Sequence, residues 1–106
     1  MIRLLALIFL AGFVQGCAPQ HYVAVQADTV TLSLHAPEAE RIQFASSTDQ
    51  YTLHEIRKNR DGTWTITGLV NKEFLYFYLV DGKMFVPECR FRQNDDFGTT
   101  NCRYLP

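Results

Sequence analysis

Hydrophobic and polar residues alternate with a period of two along much of this chain. Val30, Leu32 and Leu34 alternate with Thr and Ser, and Trp64 and Ile66 alternate with threonines further along. This period is typical of strands that bury one face and expose the other. After residue 16, no segment shows the 3.6-residue period of an amphipathic helix. The pattern therefore predicts an all-β fold.

The most hydrophobic of the predicted strands runs from Glu73 to Val80. Its residues are apolar at nearly every position, so both of its faces are apolar. Such a strand is expected at the centre of a sheet, covered on both sides or lining a groove on one. A weaker strand is predicted over residues 51–56, and residues 88–101 are predicted to be loop-like.

Turn signals divide the chain into short strands. Asp61-Gly62 and Asp81-Gly82 are typical of tight hairpins, and Pro37 and Pro87 interrupt strands. Six to eight short strands with turn signals every 8–12 residues favour an antiparallel β-sandwich of about seven strands. A single small barrel is the alternative. The segment Tyr22–Val25 could add an edge strand.

The N-terminus carries a separate pattern. Arg3 is followed by an apolar run over residues 4–13, and Gly16 directly precedes Cys17. The run is too short to span a bilayer, which takes ~20 residues. This segment resembles a bacterial lipoprotein signal peptide; an ordinary secretory signal with a chance cysteine is the alternative.

The lipoprotein resemblance implies a domain organisation and a location. Residues 1–16 are the signal, 17–27 are the lipidated Cys17 and a tether, and 28–106 are the β-sandwich. Diacylglycerol, with palmitate among its acyl groups, would attach the chain to a membrane. Because Ala18 is not the Asp used for inner-membrane retention, the resemblance implies the outer membrane, facing the periplasm.

Charge argues against nucleic-acid binding, and the cysteine content predicts a disulfide. Loss of Arg3 with the signal leaves nine basic against eleven acidic residues, without the basic patch that nucleic-acid binding needs. In an oxidising compartment, Cys89 and Cys102 are predicted to form a disulfide, worth ~3 kcal/mol. Free thiols or a metal site are the alternatives. The three histidines are scattered, so we expect no metal and no cofactor.

Several motifs in order resemble the early-set β-sandwich, an immunoglobulin-like domain. It precedes the catalytic barrel in isoamylase-type and glycogen-branching enzymes and forms the glycogen-binding domain of AMP-activated kinase β subunits. The resemblance spans residues 28–105. The motifs that carry it are Ala36–Glu40, Asp61–Trp64, Phe74–Gly82 and Asp95–Asn101.

Family members that bind α-glucan stack sugars on aromatic rings, helped by a Lys and an Asn. At the matching positions this chain has Tyr51 and Met84 where Trp is usual, Phe77 where Lys is usual, and the family's Asn as Asn101. Trp64 is expected in the core. The carbohydrate-binding residues expected from the resemblance and from the aromatic strand are Tyr51, Tyr76, Tyr78, Met84 and Asn101.

No catalytic constellation stands out in the sequence, so we expect a non-enzymatic protein. The first hypothesis is an envelope-anchored carbohydrate-binding module that recognises an α-glucan or another glycan. The second is a protein-interaction module that docks another envelope protein through the same aromatic face. Phe77 and Met84 make this face more apolar than in the family, as a protein partner would favour.

Overall fold

The computed structural model describes residues 20–94 and 99–106, which form nine antiparallel strands and one short 3-10 helix, Ser47–Asp49. The all-β prediction is confirmed. In this part of the chain, no helix is long and apolar enough to cross a membrane. The strands are β1 (Gln20–Gln26), β2 (Thr29–His35), β3 (Ile42–Ser46), β4 (His54–Lys58), β5 (Thr63–Val70), β6 (Phe74–Val80), β7 (Lys83–Phe85), β8 (Arg92–Asn94) and β9 (Thr100–Tyr104).

Three strands depart from the sequence prediction. Strand β4 begins at His54, three residues later than predicted, because Tyr51 lies in a turn. Strand β8 lies inside the predicted loop 88–101; its three exposed residues carry no hydrophobic signal, and pairing with β9 creates it. Strand β1 is longer than Tyr22–Val25 and pairs with β2 over its whole length.

The strands form two sheets that β4 joins. The strand order is β1-β2-β5-β4-β3-β6-β9-β8, with β7 paired to β6. Residues 54–56 of β4 pair with β3, while Arg57 and Lys58 pair with β5. The path ends at β1 and β8 in the described part of the chain, so the sheet is not closed into a barrel. The first sheet is β1-β2-β5 and the second is β3-β6-β9-β8 with β7.

The core lies between the inner faces of the two sheets. Val30, Leu32 and Leu34 of β2 are fully buried, as their alternation predicts. Trp64 also packs in the core, and its indole Nε1 donates a hydrogen bond of 2.9 Å to the Ala36 carbonyl. The second sheet contributes mainly aromatic side chains: Phe44, Phe74, Tyr76, Tyr78 and Tyr104.

Strand β6 occupies the centre of the second sheet, as its sequence predicts. It pairs with β3 along one edge; along the other, residues 74–76 pair with β9 and residues 78–80 pair with β7. Near this sheet, Cys89 forms the predicted disulfide with Cys102 of β9. Strand β6 is therefore paired on both edges at residues 76 and 78–80, and the alternation of side chains along the strand places every second one on the outer face.

Predictions for two segments concern residues outside the described ones. The signal peptide 1–16 and the lipidation site Cys17 precede Gln20, and the first four residues of the Asp95–Asn101 motif fall between Asn94 and residue 99.

Candidate binding face

Tyr76 and Tyr78 do not belong to an exposed binding face. Their side chains are 2% and 0% exposed and pack against Phe44 in the core, with ring centroids 5.8 and 5.5 Å from it. Burial also raises the pKa of both hydroxyls. Residues 76 and 78 share one face of β6 and residue 77 takes the other. Because both faces of this strand are apolar, the sequence could not say which face is inside.

Tyr51 lies on the outer side of the second sheet and stacks on Phe77. The two ring centroids are 6.0 Å apart, and the ring planes are only 20° from parallel. Tyr51 is 38% exposed, so part of its ring remains open to solvent. The pair forms a flat, partly solvated aromatic surface next to β6.

An unusual backbone conformation places Tyr51 over Phe77. Gln50 and Tyr51 both have positive φ angles, 61° and 62°, directly after the short helix. Such angles are rare for residues other than glycine and cost on the order of 1–3 kcal/mol each. The amide of Tyr51 donates a hydrogen bond of 2.8 Å to the Ser46 carbonyl, which closes the turn.

Further hydrogen bonds fix this turn to the sheet. The Leu75 amide donates to the Ser47 hydroxyl at 2.9 Å, and the Thr52 hydroxyl donates to the Asp49 carbonyl at 2.9 Å. The carboxylate of Asp49 also forms a hydrogen bond with the His54 imidazole at the start of β4. Because the turn is bonded to β6 and β4, Tyr51 is held in place before any ligand arrives, which reduces the entropic cost of binding.

Leu79 and Met84 extend the surface away from Tyr51. Residue 79 follows 77 on the same face of β6, and Met84 of β7 is its direct cross-strand neighbour. Met84 is 44% exposed, and Leu79 is half-buried. We call the set Tyr51, Phe77, Leu79 and Met84 the Tyr51–Met84 face. Tyr51 and Met84 were expected at the site, and the structure brings them to one side of the sheet.

Asn101 is near this face but contributes little surface. Extending the β6–β9 register by one residue places it opposite Phe77. It is only 4% exposed, so its amide is not a ready hydrogen-bonding group for a ligand. Its neighbour Gln93 is exposed, and Gln43 lies beside Leu79 on the other edge of β6. These two glutamines are polar side chains near the face by strand register that are more exposed than Asn101.

The charges beside Gln43 neutralise each other. Glu55 pairs with Gln43 across β3 and β4, and the Arg41 guanidinium donates hydrogen bonds of 3.0 and 3.1 Å to its carboxylate. The hydrogen bond with Arg41 holds the pKa of Glu55 below its usual value and raises that of Arg41. Within residues 20–94 and 99–106, no three His, Cys, Asp or Glu side chains are placed to share a metal ion. The face suits an uncharged ligand.

Leu79 was not among the residues expected from the sequence. The sequence could have indicated Leu79, because a period of two along the strand places it on the same face as Phe77. Phe77 was expected in the aromatic patch and in the protein-docking hypothesis, but not among the carbohydrate-binding residues. In the structure it supports the Tyr51 ring, which makes it the centre of the face for either kind of ligand.

Comparisons with known proteins find solved structures of similar fold but no match among family models or curated proteins. No protein-family model matches the chain, and no curated protein matches it. Two solved structures of pullulanase from Anoxybacillus sp. LM18-11 are similar. The one complexed with maltotetraose aligns with a TM-score of 0.52 and 19% identity over 76% of this chain and 13% of the pullulanase chain. The other aligns with a TM-score of 0.56 and 18% identity over 90% of this chain and 14% of the pullulanase chain.

The chain therefore spans about one seventh of the pullulanase chain. At these identities the likeness supports the β-sandwich fold expected from the sequence.

Proposed function

We propose that this chain is a non-catalytic binding module whose Tyr51–Met84 face recognises a glycan of the α-glucan type. The observation that carries the proposal is the Tyr51 ring, stacked on Phe77 and held by a hydrogen-bonded turn. The domain is of the early-set type in this proposal, and the fold likeness to a domain of pullulanase supports it.

The chemistry of the face fits a neutral sugar. One side of a pyranose ring presents C–H groups, which pack on the flat face of an aromatic ring. Tyr51 supplies that surface, and Met84 supplies a flexible, polarisable neighbour. Gln43 and Gln93 each have an amide that can donate to and accept from sugar hydroxyls. The absence of a Lys at position 77 means that stacking rather than hydrogen bonding dominates the expected affinity.

Titration calorimetry with maltotetraose, glycogen and peptidoglycan fragments tests this proposal. We expect Tyr51→Ala to weaken binding about tenfold, or ~1.4 kcal/mol, because it removes the stacking surface. Tyr22→Ala is the matched control, since Tyr22 is also an exposed tyrosine but lies on β1 in the first sheet. Flat titrations with all three ligands, or equal losses in both variants, would contradict the proposal.

A protein partner is the second candidate function for the same face. Phe77, Leu79 and Met84 are apolar side chains that a protein would cover more completely than a sugar would. Cross-linking and pull-down from membranes tests this function, with a Phe77→Glu variant that still folds. Retention of every partner by that variant would exclude this face as the docking surface.

We further propose that the chain is anchored in the cell envelope by lipid on Cys17, at the outer membrane facing the periplasm. The lipoprotein-like pattern of residues 1–17 supports this proposal. Metabolic labelling with palmitate is expected to mark the mature chain, and Cys17→Ser to abolish the label. A mature chain that never incorporates palmitate would contradict the anchor while leaving the binding proposal intact.

A further inference from the structure

The two strands at the ends of the strand order, β1 and β8, present very different free edges. Strand β8 has three residues and includes Arg92, and short charged edge strands resist pairing with other chains. Strand β1 has seven residues and no Asp, Glu, Lys, Arg or Pro. Its register with β2 runs from Gln20 to Gln26 without a bulge. Among the described residues, no strand pairs with its other edge. Within the described part of the chain, strand β1 therefore lacks the features that usually protect an edge.

Apolar side chains are exposed on both faces of β1. Tyr22 projects on the outer side, while Val23 and Val25 share the inner side with the buried Leu32 and Val30 of β2. Even so, Val23 and Val25 are 48% and 49% exposed. They border an open cleft of about 430 Å³ between β1 and the C-terminal strand region, with Phe91 on its opposite wall. The inner face of β1 is thus apolar but only partly covered.

The sequence of β1 is compatible with an antiparallel pairing of two copies centred on Val23. The sequence Gln-His-Tyr-Val-Ala-Val-Gln has a glutamine at each end and an aliphatic centre. In an antiparallel pairing about Val23, each Val23 faces its copy, Gln20 faces Gln26, and His21 faces Val25. No like charges meet in this arrangement. A twofold symmetric contact requires such self-complementarity.

We propose that β1 pairs antiparallel with β1 of a second copy of this chain, centred on Val23, and joins the two first sheets into one continuous sheet. The pairing satisfies the free backbone groups of both edges and brings Val23 of the two copies side by side on the inner face. The contact is a single strand pair about 24 Å long, and one strand pair buries less surface than the ~1,200 Å² of a stable interface. The dimer is therefore in a concentration-dependent equilibrium with the monomer.

Sedimentation velocity of the purified full chain in detergent, over a wide concentration range, tests this pairing. We expect the parent chain to show a monomer–dimer equilibrium. Val23→Lys places two ammonium groups opposite each other and is expected to lower the association constant at least about tenfold. Thr67→Lys adds the same charge at an exposed position of β5 and is expected to dimerise like the parent. Circular dichroism verifies that each variant is folded.

Charge complementation identifies the register. Val23→Glu and Val23→Lys chains should each be monomeric alone and form a mixed dimer together, because position 23 faces its own copy. A monomeric parent chain, a dimer unaffected by Val23→Lys, assemblies larger than a dimer, or mixed chains that stay monomeric would each overturn the proposal. None of these measurements depends on the Tyr51–Met84 face, which lies on the second sheet.

Discussion

Gly62 shows how closely one residue of a predicted turn is constrained. Its φ is +86°, and a Cβ at this position would lie 2.5 Å from the Cβ of Pro37. We therefore expect Gly62→Ala to destabilise the domain by about 2–4 kcal/mol, as measured by urea unfolding. Gly82→Ala is the matched control, because Gly82 has φ +83° but nothing within 4 Å of the added atom.

The Gly82→Ala control separates the penalty of a positive φ from the steric contact with Pro37. Gly82→Ala has only the backbone penalty, expected to be about 1–2 kcal/mol. Equal losses in the two variants would show that the contact with Pro37 adds nothing and that the turn shifts to avoid it.

His21 links the two sheets through a titratable contact. Its Nε2 and the hydroxyl of Tyr78 are 3.1 Å apart in a hydrogen bond, and its ring stacks on Tyr76. Burial lowers the pKa of His21 from 6.5 to about 4. The folded chain therefore holds this imidazole neutral at pH values where the unfolded chain protonates it.

The sign of the pH effect follows from that difference. Between pH 6.5 and about 4 the unfolded state binds more protons, so stability is full above this window and falls as the pH decreases through it. We expect a loss on the order of 3 kcal/mol from this residue across the whole window. In urea titrations at several pH values, His21→Gln should remove this part of the pH dependence. An unchanged pH dependence in that variant would assign the effect to other groups.

At the level of elements, the disulfide fixes a segment that has little other structure. Cys102 is buried in β9, whereas Cys89 lies between β7 and β8, outside any strand. Replacing both cysteines with Ala is expected to lower the free energy of unfolding by about 3 kcal/mol, because the unfolded chain loses a short closed loop. Adding reductant to the parent chain should lower its melting temperature, and have no effect on the double variant.

The elements that the sequence predicts well are those whose two faces differ. In β2 only one face is apolar, so the inner side of Val30, Leu32 and Leu34 was evident. Strand β6 is apolar on both faces, so its sequence located the strand but could not place Tyr76 inside and Phe77 outside. Strand β8 has no pattern of its own and exists through pairing with β9.

The sequence predicted some residues of the Tyr51–Met84 face but not the backbone conformation that positions them. The resemblance located Tyr51 and Met84, which do lie on the outer side of the second sheet. The positive φ of Tyr51 that sets its ring on Phe77 has no signal in the sequence, since no Gly or Asn marks the position. Conformations of this kind depend on hydrogen bonds from distant strands, such as that from the Leu75 amide to Ser47.

At the scale of the whole molecule, β4 makes the two sheets one folding unit. Its first three residues pair with β3 in the second sheet, and Arg57 and Lys58 pair with β5 in the first. The core side chains of both sheets also contact each other in one cluster. Losing either sheet would expose the inner face of the other, so neither sheet is expected to persist alone.

We therefore expect a single cooperative unfolding transition. Trp64 is the only tryptophan and lies in the core on β5, so its fluorescence reports on the packing of the first sheet against the core. Far-UV circular dichroism reports on the strands of both sheets. In a urea titration the two signals should give the same midpoint and the same slope. A fluorescence transition that precedes the dichroism transition would mean that the first sheet opens while the second remains folded, and that β4 does not couple them.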